Sequence, residues 1–227
     1  MVTLLRRLRT ACAVALALIA LTACLPNEPA AGRTTPVRRV LVLGDSLAYG
    51  LFFATPSATP ALSQRLAQNN ISLRLIGGPG GTVVEPWPGT APWLEQLSGA
   101  VASFDPDVVI IQSTLFPDWS NPERQAAYRT AITAAYDIAQ SRGAHTYIVA
   151  HHRGNDADAR SAADTAERLQ AEAAAGRGIS TIPLTWWLDR CGRHPYIYDG
   201  QHLNAAGVGC YADALNAAVN QLRNSVG

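Results

Sequence analysis

The chain contains no lysine: its 18 basic residues are all arginine, set against 17 acidic residues. No arginine run follows the N-terminal segment, and a chain without a basic patch is not expected to bind nucleic acid. An all-arginine, alanine-rich composition points to a GC-rich genome more than to a functional demand. No histidine or carboxylate stands at ligand spacing from a thiol, so no metal site is expected. There is no internal repeat and no sign of a second domain. After the N-terminal segment there is also no long apolar stretch that would serve as a lid. At 227 residues, 48% apolar and 15% charged, the balance is that of one ordinary globular domain with extras.

The extras are at the front. Arg6, Arg7 and Arg9 form a positive n-region, Ala11 to Leu21 is apolar but short for a span, and Leu21-Thr22-Ala23-Cys24 follows. Small residues before a cysteine resemble a bacterial lipobox, in which residues 1–23 are a signal peptide and Cys24 is lipidated. The alternative is an ordinary secretory signal cleaved nearby. Residues 24–37, rich in Pro, Ala and Thr, read as a flexible tether, and residues 38–227 as the folded domain. Without residues 1–23 the chain keeps 15 basic and 17 acidic residues, a net charge of −2. With Cys12 in the signal and Cys24 the lipid site, Cys191 and Cys210 remain. Export to an oxidising setting makes a disulfide between them the default. It would close a loop of about 20 residues, for which chain entropy gives roughly 3 kcal/mol.

From Arg38 onward, strand-like runs alternate with helix-like segments. The strands are expected at Val40–Leu43, Ser72–Ile76, Val108–Gln112, His145–Ala150 and Ile179–Ile182. Helical composition marks Ala61–Gln68, Trp93–Ala102, Glu123–Arg142 and Asp156–Ala175. A last helix is expected over about Ala205–Arg223, with Asn204 as its N-cap. This alternation predicts an α/β fold, one parallel sheet covered by helices on both faces. Right-handed crossovers then bring the loops after all strands to one edge.

Two short motifs fall on that edge. Gly44-Asp45-Ser46-Leu47 follows the first strand, and Asp199-Gly200-Gln201-His202 precedes the last helix. They supply a hydroxyl, an imidazole and a carboxylate, the parts needed to activate a serine nucleophile. His202 would accept the Ser46 proton and return it to the leaving group, while Asp199 would orient the imidazole. Asp199 and His202 also lie inside the loop that the Cys191–Cys210 bridge would close.

At these two blocks the chain resembles the SGNH/GDSL hydrolases, over roughly Arg38 to the C-terminus. The resemblance implies a three-layer α/β/α sandwich of flavodoxin-like build and a Ser-His-Asp esterase, lipase or acyltransferase activity. Gly77-Gly78-Pro79-Gly80-Gly81-Thr82 matches a second block of the family, Gly-x-x-Gly-x-Thr. By that resemblance the Gly80 amide joins the Ser46 amide in an oxyanion hole, where glycine leaves the backbone open to approach. The third block departs from the family: Phe116 stands about where an asparagine usually gives a third donor. Gln112, Ser113, Thr114 or a backbone amide are the available stand-ins. Losing one such donor costs on the order of 2.7–4 kcal/mol of transition-state stabilisation.

Among the remaining residues, His151 and His152 follow the fourth strand and either line the cleft or satisfy backbone groups. His194 has no clear role, and His145 reads as a strand-start residue. Trp87 and Trp119 follow strands two and three. Core packing is the reading taken for them over stacking on a sugar ring or gripping an acyl chain, and more firmly for Trp186 and Trp187. The function expected is an exported serine esterase that cleaves O-acyl esters of an envelope glycan or a lipid through an acyl-serine. No metal or organic cofactor enters that chemistry. The alternatives are an O-acyltransferase to glycan hydroxyls and a non-catalytic envelope-binding protein. The expected location is the extracytoplasmic face of the cell membrane, held by the N-terminal lipid, or else secreted.

Overall fold

A computed structural model of the chain describes residues 36–50, 61–114, 119–150, 157–192, 195 and 202–225. The signal peptide, Cys24 and nearly all of the tether therefore lie outside the described residues.

Five parallel strands form the sheet: β1 (Arg39–Gly44), β2 (Ser72–Gly77), β3 (Val108–Ile111), β4 (His145–Ala150) and β5 (Ser180–Pro183). Their spatial order is β2-β1-β3-β4-β5, with Leu43 paired to Ile76 on one side and to Ile111 on the other. The apolar runs of β1 and β3 follow from burial on both faces. Val40, Val42, Val108 and Ile110 point into one core, and Leu41, Leu43, Val109 and Ile111 into the other. Edge strand β2 alternates instead, with Ser72 and Arg74 exposed.

The first core is closed by α1 (Ser46–Gly50), α2 (Ala61–Ala67), α6 (Leu184–Asp189) and α7 (Ala205–Ser225). The second is closed by α3 (Trp93–Phe104), α4 (Pro122–Gln140) and α5 (Ala157–Ala174). This is the three-layer α/β/α arrangement that the sequence implies. Asn204 caps α7 as expected, its side-chain oxygen accepting from Gly207 N at 3.0 Å. Asn121 caps α4 in the same way for Glu123 and Arg124, with Pro122 in the first turn.

The strand order reverses between β1 and β3. Chain leaves β1 toward β2 on one side, and β3 lies on the other, so the loops at their carboxyl ends diverge and leave a crevice. In open α/β sheets that crevice is where ligands bind. Ser46 stands at its mouth, immediately after β1.

Candidate active site

The nucleophile turn is built around Gly44. A Cβ there would collide with the Ala48 side chain and come within 3.1 Å of Gln112 Oε1, so only glycine lets β1 pass directly into α1. Asp45 caps α1: its Oδ1 accepts from Leu47 N at 2.9 Å, and its carbonyl accepts from Tyr49 N at 3.0 Å. Ser46 follows as the first helical residue, half-buried, with its hydroxyl toward the surface.

His202 reaches Ser46 from the far end of the chain. The Ser46 Oγ to His202 Nε2 separation is 2.9 Å, across 156 residues of sequence. His202 precedes α7 and is placed by what surrounds it. Asn204 N donates to the Pro195 carbonyl at 2.8 Å, and Gly207 sits so close to that carbonyl that a Cβ would not fit. A disulfide joins Cys191 to Cys210 with Cα atoms 5.8 Å apart, the pairing expected from the sequence. Asp199 lies outside the described residues.

The glycine loop lies against the same turn. Gly78 N donates to the Gly44 carbonyl at 3.1 Å, two residues before Ser46. Gly78-Pro79-Gly80-Gly81 then closes a turn through Gly81 N to Gly78 O at 3.1 Å. Proline second and a glycine of φ +73° third is the type II pattern. That hydrogen bond does not engage the Gly80 amide. Trp87 covers Gly80 with its indole ring, filling the space a Cβ would need. The ring is nevertheless 50% exposed, so the expectation that Trp87 is a core residue is corrected. Its loop is held by Thr82, whose hydroxyl accepts from Val84 N and Glu85 N. It is held further by Arg124 of α4, whose two terminal nitrogens grip the Glu85 carboxylate.

The expectations for Trp186, Trp187 and Trp119 resolve differently. Trp186 is 47% exposed rather than core, because α6 carries it outward with the Arg190 guanidinium stacked 3.8 Å from its ring centroid. Trp187 and Trp119 are partly buried against the two cores. His145 does start β4, and its Nε2 lies 3.2 Å from Ser180 Oγ. Burial lowers its pKa. Phe116, His151, His152 and His194 lie outside the described residues.

Of the side chains offered as a third oxyanion donor, two are committed elsewhere. Ser113 Oγ accepts from Val83 N at 3.1 Å, in a buried position beneath the glycine loop. Gln112 is held at both ends by Asp45: its Oε1 accepts from Asp45 N at 3.1 Å, and its Nε2 donates to Asp45 Oδ2 at 2.8 Å. Sequence alone does not show this pair, since Asp45 enters there only as a member of the Gly44–Leu47 motif. A polar residue closing an apolar buried strand was the available signal. Burial pushes the Asp45 carboxyl up from 3.8 to about 6, against the opposing effect of its hydrogen bonds to Leu47 and Gln112 and of the His202 charge.

Among curated proteins, none matches the chain. Solved structures share its fold at low identity. An alpha/beta hydrolase enzyme from the metagenome of Lake Arreo is 20% identical with a TM-score of 0.61, over 84% of this chain and 99% of that one. The psychrotrophic esterase EstA of Pseudoalteromonas is 17% identical with a TM-score of 0.56, over 82% and 99%. A catalytic mutant of an acetylxylan esterase from Geobacillus stearothermophilus is 14% identical with a TM-score of 0.59, over 82% and 96%. The model of the GDSL-like Lipase/Acylhydrolase family matches residues 42–209, from within β1 through the first turns of α7. The chain belongs to that family and is an esterase-type hydrolase of the SGNH/GDSL class.

Proposed function

We propose that Ser46 is the nucleophile of an acyl-serine mechanism directed at O-acyl esters of a glycan. The observation that carries this reading is the 2.9 Å contact between Ser46 Oγ and His202 Nε2. His202 Nε2 takes the Ser46 proton as the oxygen attacks the ester carbonyl, and the carbonyl π electrons move onto oxygen. By the Asp-x-x-His block of the family, Asp199 is the residue assigned to orient the imidazole. The amides of Ser46 and Gly80 face the developing O⁻. Collapse expels the alcohol, which takes its proton from His202, and water then repeats the sequence on the acyl-serine to release the acid.

Trp87 favours a sugar ester over a lipid ester. One face of its ring is closed by Gly80 and half of its surface is open, beside the loop that carries the Gly80 amide. A flat, rigidly held aromatic suits the C–H face of a pyranose. The proposed location is the extracytoplasmic face of the membrane, with residues 1–23 removed and Cys24 lipidated. The Arg6–Arg9 n-region and the apolar stretch before Cys24 support export. So does the Cys191–Cys210 disulfide, a bond that persists in oxidising compartments.

The test is fluorophosphonate labelling of the purified protein, mapped by mass spectrometry, followed by product analysis on acetylated xylo-oligosaccharides. Labelling at Ser46 that disappears in His202→Ala, with free acetate released from the glycan, is the expected result. Folded, disulfide-intact protein that takes no label would refute Ser46 as the nucleophile. Acetyl groups appearing on an added acceptor sugar would make the enzyme a transferase instead.

A further inference from the structure

Asp45 and Gln112 are joined by two hydrogen bonds of opposite sense, although 67 residues separate them. Both are buried, at 4% and 1% exposure. The glutamine holds more than one atom of the nucleophile turn. Its backbone N donates to the Leu43 carbonyl at 2.8 Å, continuing the β1–β3 ladder one residue past the strands. Its Oε1 takes the Asp45 amide hydrogen and packs against Gly44, and its Nε2 fixes the carboxylate that caps Leu47. Every residue from Leu43 to Leu47 except Ser46 itself is touched by Gln112 or by the carboxylate it holds.

We propose that Gln112 is a positioning residue for the reaction, whose carboxamide clamps the backbone and side chain of Asp45 together and so aims the Ser46 hydroxyl at His202. The inference rests on the reading of Ser46 as nucleophile. The chemistry selects an amide. One end must accept from a backbone N–H and the other must donate to a carboxylate, and a neutral carboxamide does both at once. A carboxyl at this position would face Asp45 oxygen to oxygen and would need a shared proton. Among the described residues, three titratable groups couple electrostatically to Asp45: His202 ahead of α7, Tyr211 on α7 and Tyr128 on α4. Burial holds both tyrosines above their ordinary range, so they stay neutral where an esterase works.

Two variants and two readouts decide the matter. Gln112→Met keeps the shape and loses both bonds, while Gln112→Glu keeps the acceptor and replaces the donor. Melting curves first establish a temperature at which wild type and variants are fully folded. There, Gln112→Met is expected to lower kcat on p-nitrophenyl acetate by about tenfold to a hundredfold, with KM little changed, as a misaimed nucleophile does. The rate of fluorophosphonate labelling at Ser46 falls by the same factor. For Gln112→Glu, activity relative to wild type should recover as the pH falls and the two carboxyls come to share a proton. Crystal structures give the second readout, with the Ser46 Oγ to His202 Nε2 distance opening past about 3.5 Å in Gln112→Met. Folded Gln112→Met with wild-type kcat, labelling and Ser46–His202 distance would overturn the proposal. A wild-type protein that neither labels nor hydrolyses would refute the nucleophile reading instead, and the crystallographic distance would still decide whether Gln112 aims Ser46.

Discussion

Cutting the Cys191–Cys210 bridge should cost stability while sparing the chemistry. The cysteines are 19 residues apart, and closing a loop of that length in the unfolded chain is worth about 3 kcal/mol. For a domain of this size the melting temperature then falls by about 6–12 °C. His202 lies inside the loop, so a loss of activity might seem to follow. The structure argues otherwise. Asn204 is tied to the Pro195 carbonyl and caps α7 through Gly207, and α7 stays anchored by Tyr211, Leu215 and Val219, all fully buried. None of these contacts passes through the disulfide, so they should persist in the folded, reduced protein. The assay is calorimetry on wild type and on Cys191→Ser/Cys210→Ser, with p-nitrophenyl acetate hydrolysis measured well below both transitions. Activity within about threefold, alongside the lower melting temperature, is expected, since the bridge acts chiefly on the unfolded chain. An unchanged melting temperature would refute the entropy argument. A drop in kcat of about a hundredfold in folded protein would show that the bridge positions His202, as a displacement of roughly 1 Å does.

Two further outcomes follow from buried polar groups. The folded chain holds a proton on Asp45 up to about pH 6, whereas the unfolded chain releases it near 3.8. Between those values the folded state binds more protons, so this group makes stability fall as pH rises through the window, by about 3 kcal/mol in all. Urea midpoints of wild type and Asp45→Asn measured from pH 4 to 7 should diverge across that window, and a constant difference would refute the assignment. Tyr128 donates to the Ser113 carbonyl at 2.8 Å and accepts from Gln170 Nε2 at 2.8 Å, all buried. Tyr128→Phe leaves those partners short of a hydrogen bond and should destabilise by about 1–3 kcal/mol in denaturant unfolding. A change within error would mean that the bond Gln170 Nε2 already gives the Ser113 carbonyl, at 3.3 Å, suffices for both groups.

How much of this was legible in the sequence depended on whether its cause was local. Strands β1 and β3 are buried on both faces, so they show as apolar runs expected at Val40–Leu43 and Val108–Gln112, against Arg39–Gly44 and Val108–Ile111 observed. Helix α7 announced itself through Asn204 and its apolar spacing. Helix α6 did not, because six residues are too few to show a period, and its two tryptophans drew a core reading. Whether Trp87 or Trp186 is covered depends on which segments pack over it, which no local pattern records. The Ser46–His202 contact was legible only through the family's paired blocks. Gln112 showed itself as a polar residue ending a buried strand, but its partner lies 67 residues away and nothing near Gln112 names it.

The distance along the chain between Ser46 and His202 also has a consequence in time. Synthesis reaches the serine 156 residues before the imidazole that faces it. On the proposed reading, Ser46 stays an ordinary alcohol until α7 docks and carries His202 into place. A chain not yet extended past His202 should then be chemically silent toward esters around it. Fluorophosphonate reactivity at Ser46 would then report, chain by chain, that folding has run to its end.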